Sequence, residues 1–159
     1  MRKGSGGFSL IELLIVVAII LIIAAIAIPN FLRSKIAANQ ASAVGSLRTI
    51  NTSEATYAST FNVGYSQDLT YLGPVTSGSP SSTAAGLLDS VLVTGVKSGY
   101  YFIYTPGAPD SGGKVGSYQL TANPTSSSTG TIYYYTDQGG VIRQNSTTVA
   151  ASTDSPLAG

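Results

Sequence analysis

The sequence predicts an α+β fold in which one long N-terminal helix packs on a small antiparallel sheet. Two patterns in the chain support this prediction. The N-terminal part is first apolar on every side and then carries an amphipathic stripe, as a helix with one buried face does. The C-terminal part contains short Tyr-rich segments separated by Gly, Ser and Asn, which is typical of strands joined by short turns.

The predicted helix runs from about Ser9 to about Ser59 and changes character near Pro29. Residues 8–28 are almost entirely apolar and span about 30 Å as a helix, which is enough to cross a bilayer. Beyond Pro29 an apolar stripe recurs at spacings of three, four or seven residues. The stripe consists of Ile36, Ala43, Val44, Leu47, Ile50, Tyr57 and Phe61.

The remainder of the chain is predicted to be irregular as far as residue 98, apart from a short helix at residues 83–93. Antiparallel strands are then expected within residues 99–145, with Tyr rings buried and their hydroxyl groups in water. The predicted strands are residues 99–105, 117–123, 130–136 and 141–145, and "DQGG" forms the last hairpin turn. The tail from Ser146 is predicted to be loosely ordered.

Composition argues against several classes of function. Only 9% of the residues are charged and the net charge is +1, which does not fit binding to nucleic acid through a basic surface. The chain has no Cys and no His, so it lacks the commonest metal ligands and the commonest general base. No nucleotide-binding glycine loop is present. We therefore expect no enzymatic activity, no catalytic residues and no cofactor.

Calcium is the one metal ion that the sequence leaves as an alternative. Asp137 with nearby carbonyl groups, or Asp154, offers the oxygen ligands that calcium prefers. The acidic residues are otherwise isolated and mostly stand beside Ser or Gly, as turn residues do. We therefore assign no residue as a metal ligand.

Two general interpretations of the N-terminus are available. A secretory signal peptide is consistent with Arg2, Lys3 and the small residues at 25–27, but an acid within its apolar segment opposes it. A single-pass membrane anchor explains the length of the run. In that case Glu12, close to the helix start, reaches the membrane interface and interacts favourably with the positive end of the helix.

A third interpretation comes from a resemblance. The segment "KGSGGFSLIELLIVVAIILIIAAIAIPNFLRSK" closely resembles the N-terminal signature of type IV pilins and the pseudopilins of type II secretion. In that family a basic leader ends in Gly and is followed by Phe, and a Glu stands four residues further on. Here these residues are Gly7, Phe8 and Glu12. The resemblance covers roughly residues 3–36 and implies the pilin fold.

The resemblance also implies roles for individual residues. A prepilin peptidase is expected to cut between Gly7 and Phe8 and to methylate the amine of Phe8. Glu12 is expected to pair with the N-terminal amine of a neighbouring subunit and so to set the register of a filament. Pro29 is expected to mark a kink, or a segment that melts on assembly; no Gly lies between Phe8 and Pro29 to assist such melting.

The expected domains follow from the resemblance: a leader that is removed (residues 1–7), a transmembrane and filament-core helix (8–29) and a head domain (30–159). The subunit is expected to cross the bacterial inner membrane once with its N-terminus in the cytoplasm. Its expected partners are identical subunits in a helical filament, the peptidase, and an assembly ATPase that acts through an inner-membrane platform protein.

The sequence leaves three functions open. The first is a structural pilin of an extracellular type IV pilus used for adhesion or motility. The second is a major pseudopilin of the periplasmic pseudopilus in type II secretion, which is consistent with the absence of a C-terminal disulfide. The third is a monomeric membrane-anchored binding module.

Overall fold

The computed structural model describes residues 8–157 and confirms the α+β fold, with one long helix and a five-stranded antiparallel sheet. The predicted leader, residues 1–7, lies outside the described residues, and Gly7 with it. The chain divides into two compact units, the first ending at Lys35 and the second beginning at Ile36.

Helix α1 spans Leu10–Phe61 and contains Pro29 without interruption. Pro29 has no amide hydrogen and so cannot donate to the carbonyl group four residues earlier, but the helix continues through this position. The helix ends two residues later than predicted. Asn62 takes a left-handed conformation with φ of 55°, and Asn tolerates this conformation at a helix end.

The second unit is built on the buried face of α1. Most of the predicted stripe is buried there, including Leu47, Ile50 and Tyr57. This face packs with residues of the sheet, among them Tyr100 and Leu120, in one hydrophobic core. The amphipathic pattern therefore identified the correct packing face. It did not identify Ser46, Ser53 and Glu54, which are also buried.

The sheet is formed by β1 to β5 in sequence order, and every neighbouring pair is antiparallel. The strands are β1 (Val96–Lys97), β2 (Tyr100–Pro106), β3 (Tyr118–Pro124), β4 (Tyr133–Asp137) and β5 (Arg143–Asn145). The antiparallel meander was predicted, whereas the two-residue strand β1 was not. Along β2, Tyr100 and Phe102 are buried and Tyr101 and Ile103 are exposed, as the alternation predicted.

Strand β4 begins later than the predicted start at Gly130, because the preceding residues wrap around a tyrosine. The hydroxyl group of Tyr100 donates a 2.8 Å hydrogen bond to the carbonyl oxygen of Ile132. A Cβ atom at Gly130 would lie 2.2 Å from that hydroxyl oxygen, so only Gly fits there. The prediction that the tyrosine hydroxyls of the strands face water is wrong here and at Tyr104, which donates to a backbone carbonyl. Tyr57 of α1 also donates to a backbone carbonyl.

The predicted helix at residues 83–93 is also wrong for most of its length. Helix α2 is limited to Ser90–Val93 and is capped by Asp89, whose carboxylate accepts from the amide of Leu92 at 2.8 Å. Before it, Gly86 has a φ of 69°. The amides of Ala85 and Leu87 donate to the carbonyls of a 3₁₀ turn at Leu69–Leu72. The segment thus pairs with that turn instead of coiling on itself.

The C-terminal tail is ordered against β5, which contradicts the predicted loose tail. The amide of Gln144 donates to Ser155, and the amide of Leu157 donates to Ile142. Next to the first of these contacts, Asp154 accepts from the side chain of Asn145 at 3.1 Å and from the amide of Ala151 at 2.8 Å. We call the group Arg143, Asn145 and Asp154 the C-terminal clasp, because the guanidinium of Arg143 also donates to the carbonyl oxygen of Asp154.

Removing the clasp carboxylate is expected to loosen the C-terminal loop. In Asp154→Ala the side chain of Asn145 and the amide of Ala151 lose their acceptor, which should lower the free energy of unfolding by about 1–2 kcal/mol. Hydrogen exchange of residues 146–153 should then become faster. Ser152→Ala, at an exposed position of the same loop, serves as the control. Equal exchange in both variants would show that the clasp does not hold the loop.

Candidate functional site

The N-terminal segment of α1 is apolar, and none of its residues is buried. Its side chains are not buried by any described part of the chain, and Phe8 is 75% exposed. By length and composition this part of α1 is able to cross a membrane. Burying such a surface against lipid or other protein chains is strongly favourable, at roughly 25 cal/mol per Å².

Glu12 lies in the first turn of α1, where its side chain forms the Glu half of a capping box. One carboxylate oxygen, Oε2, accepts a 2.9 Å hydrogen bond from the amide of Ser9. The carbonyl group of Ser9 in turn accepts from the amides of Glu12 and Leu13. This Ser-x-x-Glu spacing is a recognised helix-start signature, and the sequence analysis missed it.

The capping box also fixes the position of the carboxylate. The other oxygen, Oε1, has no hydrogen bond to residues 8–157, so it is available to a donor from outside the described chain. The side chain therefore stabilises the start of α1 and presents an acceptor oxygen at that end of the helix.

A second carboxylate, Glu54, lies in the middle of the core and was not singled out from the sequence. It is 0% exposed, and it accepts hydrogen bonds from the amide of Ser66 at 2.9 Å and from the hydroxyl of Ser66 at 2.5 Å. Tyr104 donates to the carbonyl oxygen of the same serine. We call Glu54, Ser66 and Tyr104 the Glu54 cluster. It connects α1, the loop that follows α1, and strand β2.

Burial raises the pKa of Glu54, and the hydrogen bonds from Ser66 and Tyr104 offset part of this effect. Burial also raises the pKa of Tyr104, and the nearby Glu54 carboxylate raises it further. The ion pair found in the described residues joins Lys97 and Asp89, so no cation of residues 8–157 forms a salt bridge with Glu54. A signal was available in the sequence, because residue 54 falls between Ile50 and Tyr57 on the apolar stripe.

The two aspartates considered for calcium take part in turns and in the clasp. Asp137 accepts from the amide of Gly139 at 2.8 Å, and Asp154 belongs to the C-terminal clasp. Within residues 8–157, no group of three or more acidic, His or Cys side chains is placed to hold a metal ion.

The comparisons with known proteins agree with this geometry. Residues 2–28 match the family model described as "Prokaryotic N-terminal methylation motif". The type IV major pilin protein PilA of Myxococcus xanthus (strain DK1622) is 49% identical over 53 residues, which cover 33% of this chain and 24% of that protein. The aligned part therefore spans about a quarter of that relative. No solved structure matches the chain.

The matched methylation motif lies at the start of the exposed apolar helix, on a chain that also forms an antiparallel sheet. Over one third of its length, the chain is similar to a type IV major pilin.

Proposed function

We propose that this protein is the structural subunit of a type IV pilus on the bacterial surface, where the fibre serves adhesion or motility. The observation that carries the proposal is the exposed apolar helix that starts with the methylation motif. A surface of this kind requires a partner, and a helical filament of identical chains buries it in the filament core. The proposed role is structural and not enzymatic.

The proposed pathway begins in the inner membrane, with the N-terminus in the cytoplasm and the apolar helix in the bilayer. A prepilin peptidase hydrolyses the bond between Gly7 and Phe8, and the new amine of Phe8 is methylated. The assembly ATPase then drives subunits from the membrane into the fibre through the platform protein. In this scheme, residues 1–7 are absent from the mature subunit and residues 8–29 form the core.

Glu12 is proposed to set the register of the filament. A buried carboxylate without a partner is costly, whereas one that meets the cationic amine of a neighbour gains a charge-assisted hydrogen bond. The capping box supports this role because it holds Oε2 against Ser9 and leaves Oε1 available. Pro29 is proposed to be the point where the helix yields on assembly, since its missing amide already removes one helical hydrogen bond.

A second candidate function is that of a major pseudopilin in a periplasmic pseudopilus of type II secretion. It is favoured by the small head, in which the C-terminal clasp closes the final loop without a disulfide. Pseudopilins share the N-terminal signature, so that part of the chain does not discriminate between the two machines.

Fibres sheared from cells, with mass spectrometry of their subunit, test the proposal. We expect long surface fibres that contain this chain beginning at a methylated Phe8. Deleting the gene should remove these fibres, and restoring it should return them. Finding the processed chain only in short periplasmic assemblies would favour the pseudopilus. Finding it only as a membrane-bound monomer would contradict both filament functions.

A further inference from the structure

Two exposed cations follow the apolar part of α1, within the same unit. Arg33 and Lys35, which we call the basic collar, lie beyond Pro29 on a continuous helix. The sequence contains no acidic residue between Glu12 and Glu54. Among residues 8–157 the observed ion pair is Lys97–Asp89, so the collar has no salt-bridge partner there.

The axial position of the collar matches the headgroup layer of a bilayer. At 1.5 Å per residue, Arg33 lies about 7 Å beyond Ile28, the last residue of the apolar run. A headgroup layer is about 5–7 Å thick on each side of a hydrocarbon core of about 30 Å. Glu12 and Arg33 are about 31 Å apart along the helix, which nearly equals the thickness of that core. Both charges can therefore reach an interface while the residues between them fill the hydrocarbon.

The residues between the apolar run and the collar fit the same depth. Phe31 is 68% exposed and Leu32 is 47% exposed, so both present apolar surface just before the cations. Phe and Leu side chains on an interfacial helix are buried at the boundary between the headgroups and the acyl chains. Along the helix, the apolar run therefore matches the hydrocarbon core, Phe31 and Leu32 match the interface, and the basic collar matches the headgroup layer.

The angular position of the two cations indicates what kind of anion they bind. Residues two apart on an α-helix are separated by about 200°, so Arg33 and Lys35 point to opposite sides of α1. They cannot converge on one small anion. A continuous layer of many anions around the helix satisfies both. The same segment of a second copy carries the same positive charges and would repel the collar.

We propose that the basic collar binds the anionic headgroups of phospholipids on the membrane face opposite the N-terminus and so fixes the depth of the subunit before assembly. The inference rests on the membrane stage of the proposed function. Arg33 is suited to a phosphate because its planar guanidinium donates two parallel hydrogen bonds, and Lys35 contributes a point charge.

Lipid selectivity measured with the full chain in vesicles tests the proposal. The probes are spin-labelled phosphatidylglycerol and phosphatidylcholine, whose relative association with the protein is compared in phosphatidylcholine vesicles. We expect the wild-type chain to prefer phosphatidylglycerol. Arg33→Gln and Lys35→Gln should each lower that preference by up to about fivefold. Added salt should weaken the wild-type preference, because it screens exposed charges.

Arg48→Gln is the matched control, since Arg48 is an exposed cation of the second unit on the same helix. It should keep the wild-type preference. Equal preferences in the wild type and the Arg33→Gln/Lys35→Gln double variant would overturn the collar, as would an equal loss in Arg48→Gln. Protease protection is measured first. A wild-type chain that does not insert would overturn both the collar and the membrane stage, whereas an inserted chain without charge-dependent selectivity overturns the collar alone.

Discussion

Replacing Glu12 with Gln is expected to abolish filaments while the subunit still enters the membrane and loses its leader. Glutamine has nearly the same shape, and its carbonyl oxygen can still accept the hydrogen bond from the amide of Ser9. The substitution therefore keeps the cap and removes only the negative charge. If register depends on a charge pair with the amine of Phe8, loss of that charge is enough to prevent assembly.

Glu12→Ala removes both the charge and the cap. Comparing it with Glu12→Gln therefore separates the two contributions. Loss of a capping interaction costs a helix about 0.5–2 kcal/mol, which the rest of a 52-residue helix can absorb. We therefore expect Glu12→Ala and Glu12→Gln to give the same result, with sheared fibres reduced at least tenfold on electron micrographs. Leu13→Ala, at the next position in the sequence, controls for the loss of a side chain in the same turn of α1.

The outcome that contradicts the register proposal is specific. If Glu12→Gln forms fibres at the wild-type level and Glu12→Ala does not, the helix cap is the important function of Glu12. If both variants form normal fibres, Glu12 has no role in assembly. Immunoblots that compare precursor and mature chain must accompany the micrographs, since failure of cleavage would also remove the fibres.

Replacing Glu54 with Ala is expected to destabilise the head by about 3 kcal/mol. The change leaves the buried amide and hydroxyl of Ser66 without their acceptor, and it opens a cavity beside Tyr104. Glu54→Gln retains a side-chain oxygen for the amide of Ser66, and near neutral pH it should cost less than about 1 kcal/mol. Thr56→Ala, at an exposed position of the same helix, controls for loss of a side chain on α1.

The pH dependence gives the sharper test of the Glu54 cluster. Because burial raises the pKa of Glu54 above 4.5, the folded chain holds this proton after the unfolded chain has released it. Unfolding then releases a proton, so the free energy of unfolding falls as the pH rises from about 4.5 through the raised pKa. The stabilising contribution is complete below 4.5 and is lost above the folded pKa.

Glutamine does not titrate, so the wild type should lose stability relative to Glu54→Gln as the pH rises through this window. The measurement is denaturant unfolding of the full chain in mild detergent, followed by the near-ultraviolet circular dichroism of its tyrosines. A difference between the two proteins that stays constant from pH 4 to pH 9 would contradict a raised pKa for Glu54. If the wild type instead gains stability relative to Glu54→Gln as the pH rises, the pKa of Glu54 is lowered in the folded chain and not raised.

Much of this fold could be predicted from periodicity, and the parts that could not depend on contacts between distant residues. The stripe containing Leu47 and Ile50 predicted the packing face of α1, and alternation predicted the two faces of β2. Residues 83–93 have helical composition, but their amides find better partners in the 3₁₀ turn near Leu72. Such pairing is not visible in a local pattern.

The candidate site shows the same division. The spacing of Gly7, Phe8 and Glu12 is local, so it can be read from the sequence without the fold. The capping interaction between Ser9 and Glu12 is equally local, and its Ser-x-x-Glu spacing is visible in the sequence. Glu54 has its partners in Ser66 and Tyr104, and only the folded chain brings these together. The one indication in the sequence was that Glu54 falls on the apolar stripe of α1, where a side chain is expected to be buried.

The C-terminal clasp has a consequence for the conditions in which this subunit folds. A loop closed by a disulfide depends on an oxidising compartment and on enzymes that form the bond, and strong thiols can reopen it. Asp154, Asn145 and Arg143 achieve closure with hydrogen bonds in a chain that contains no Cys. The loop therefore closes equally well with or without oxidant, and oxygen supply or thiol reductants place no limit on its maturation.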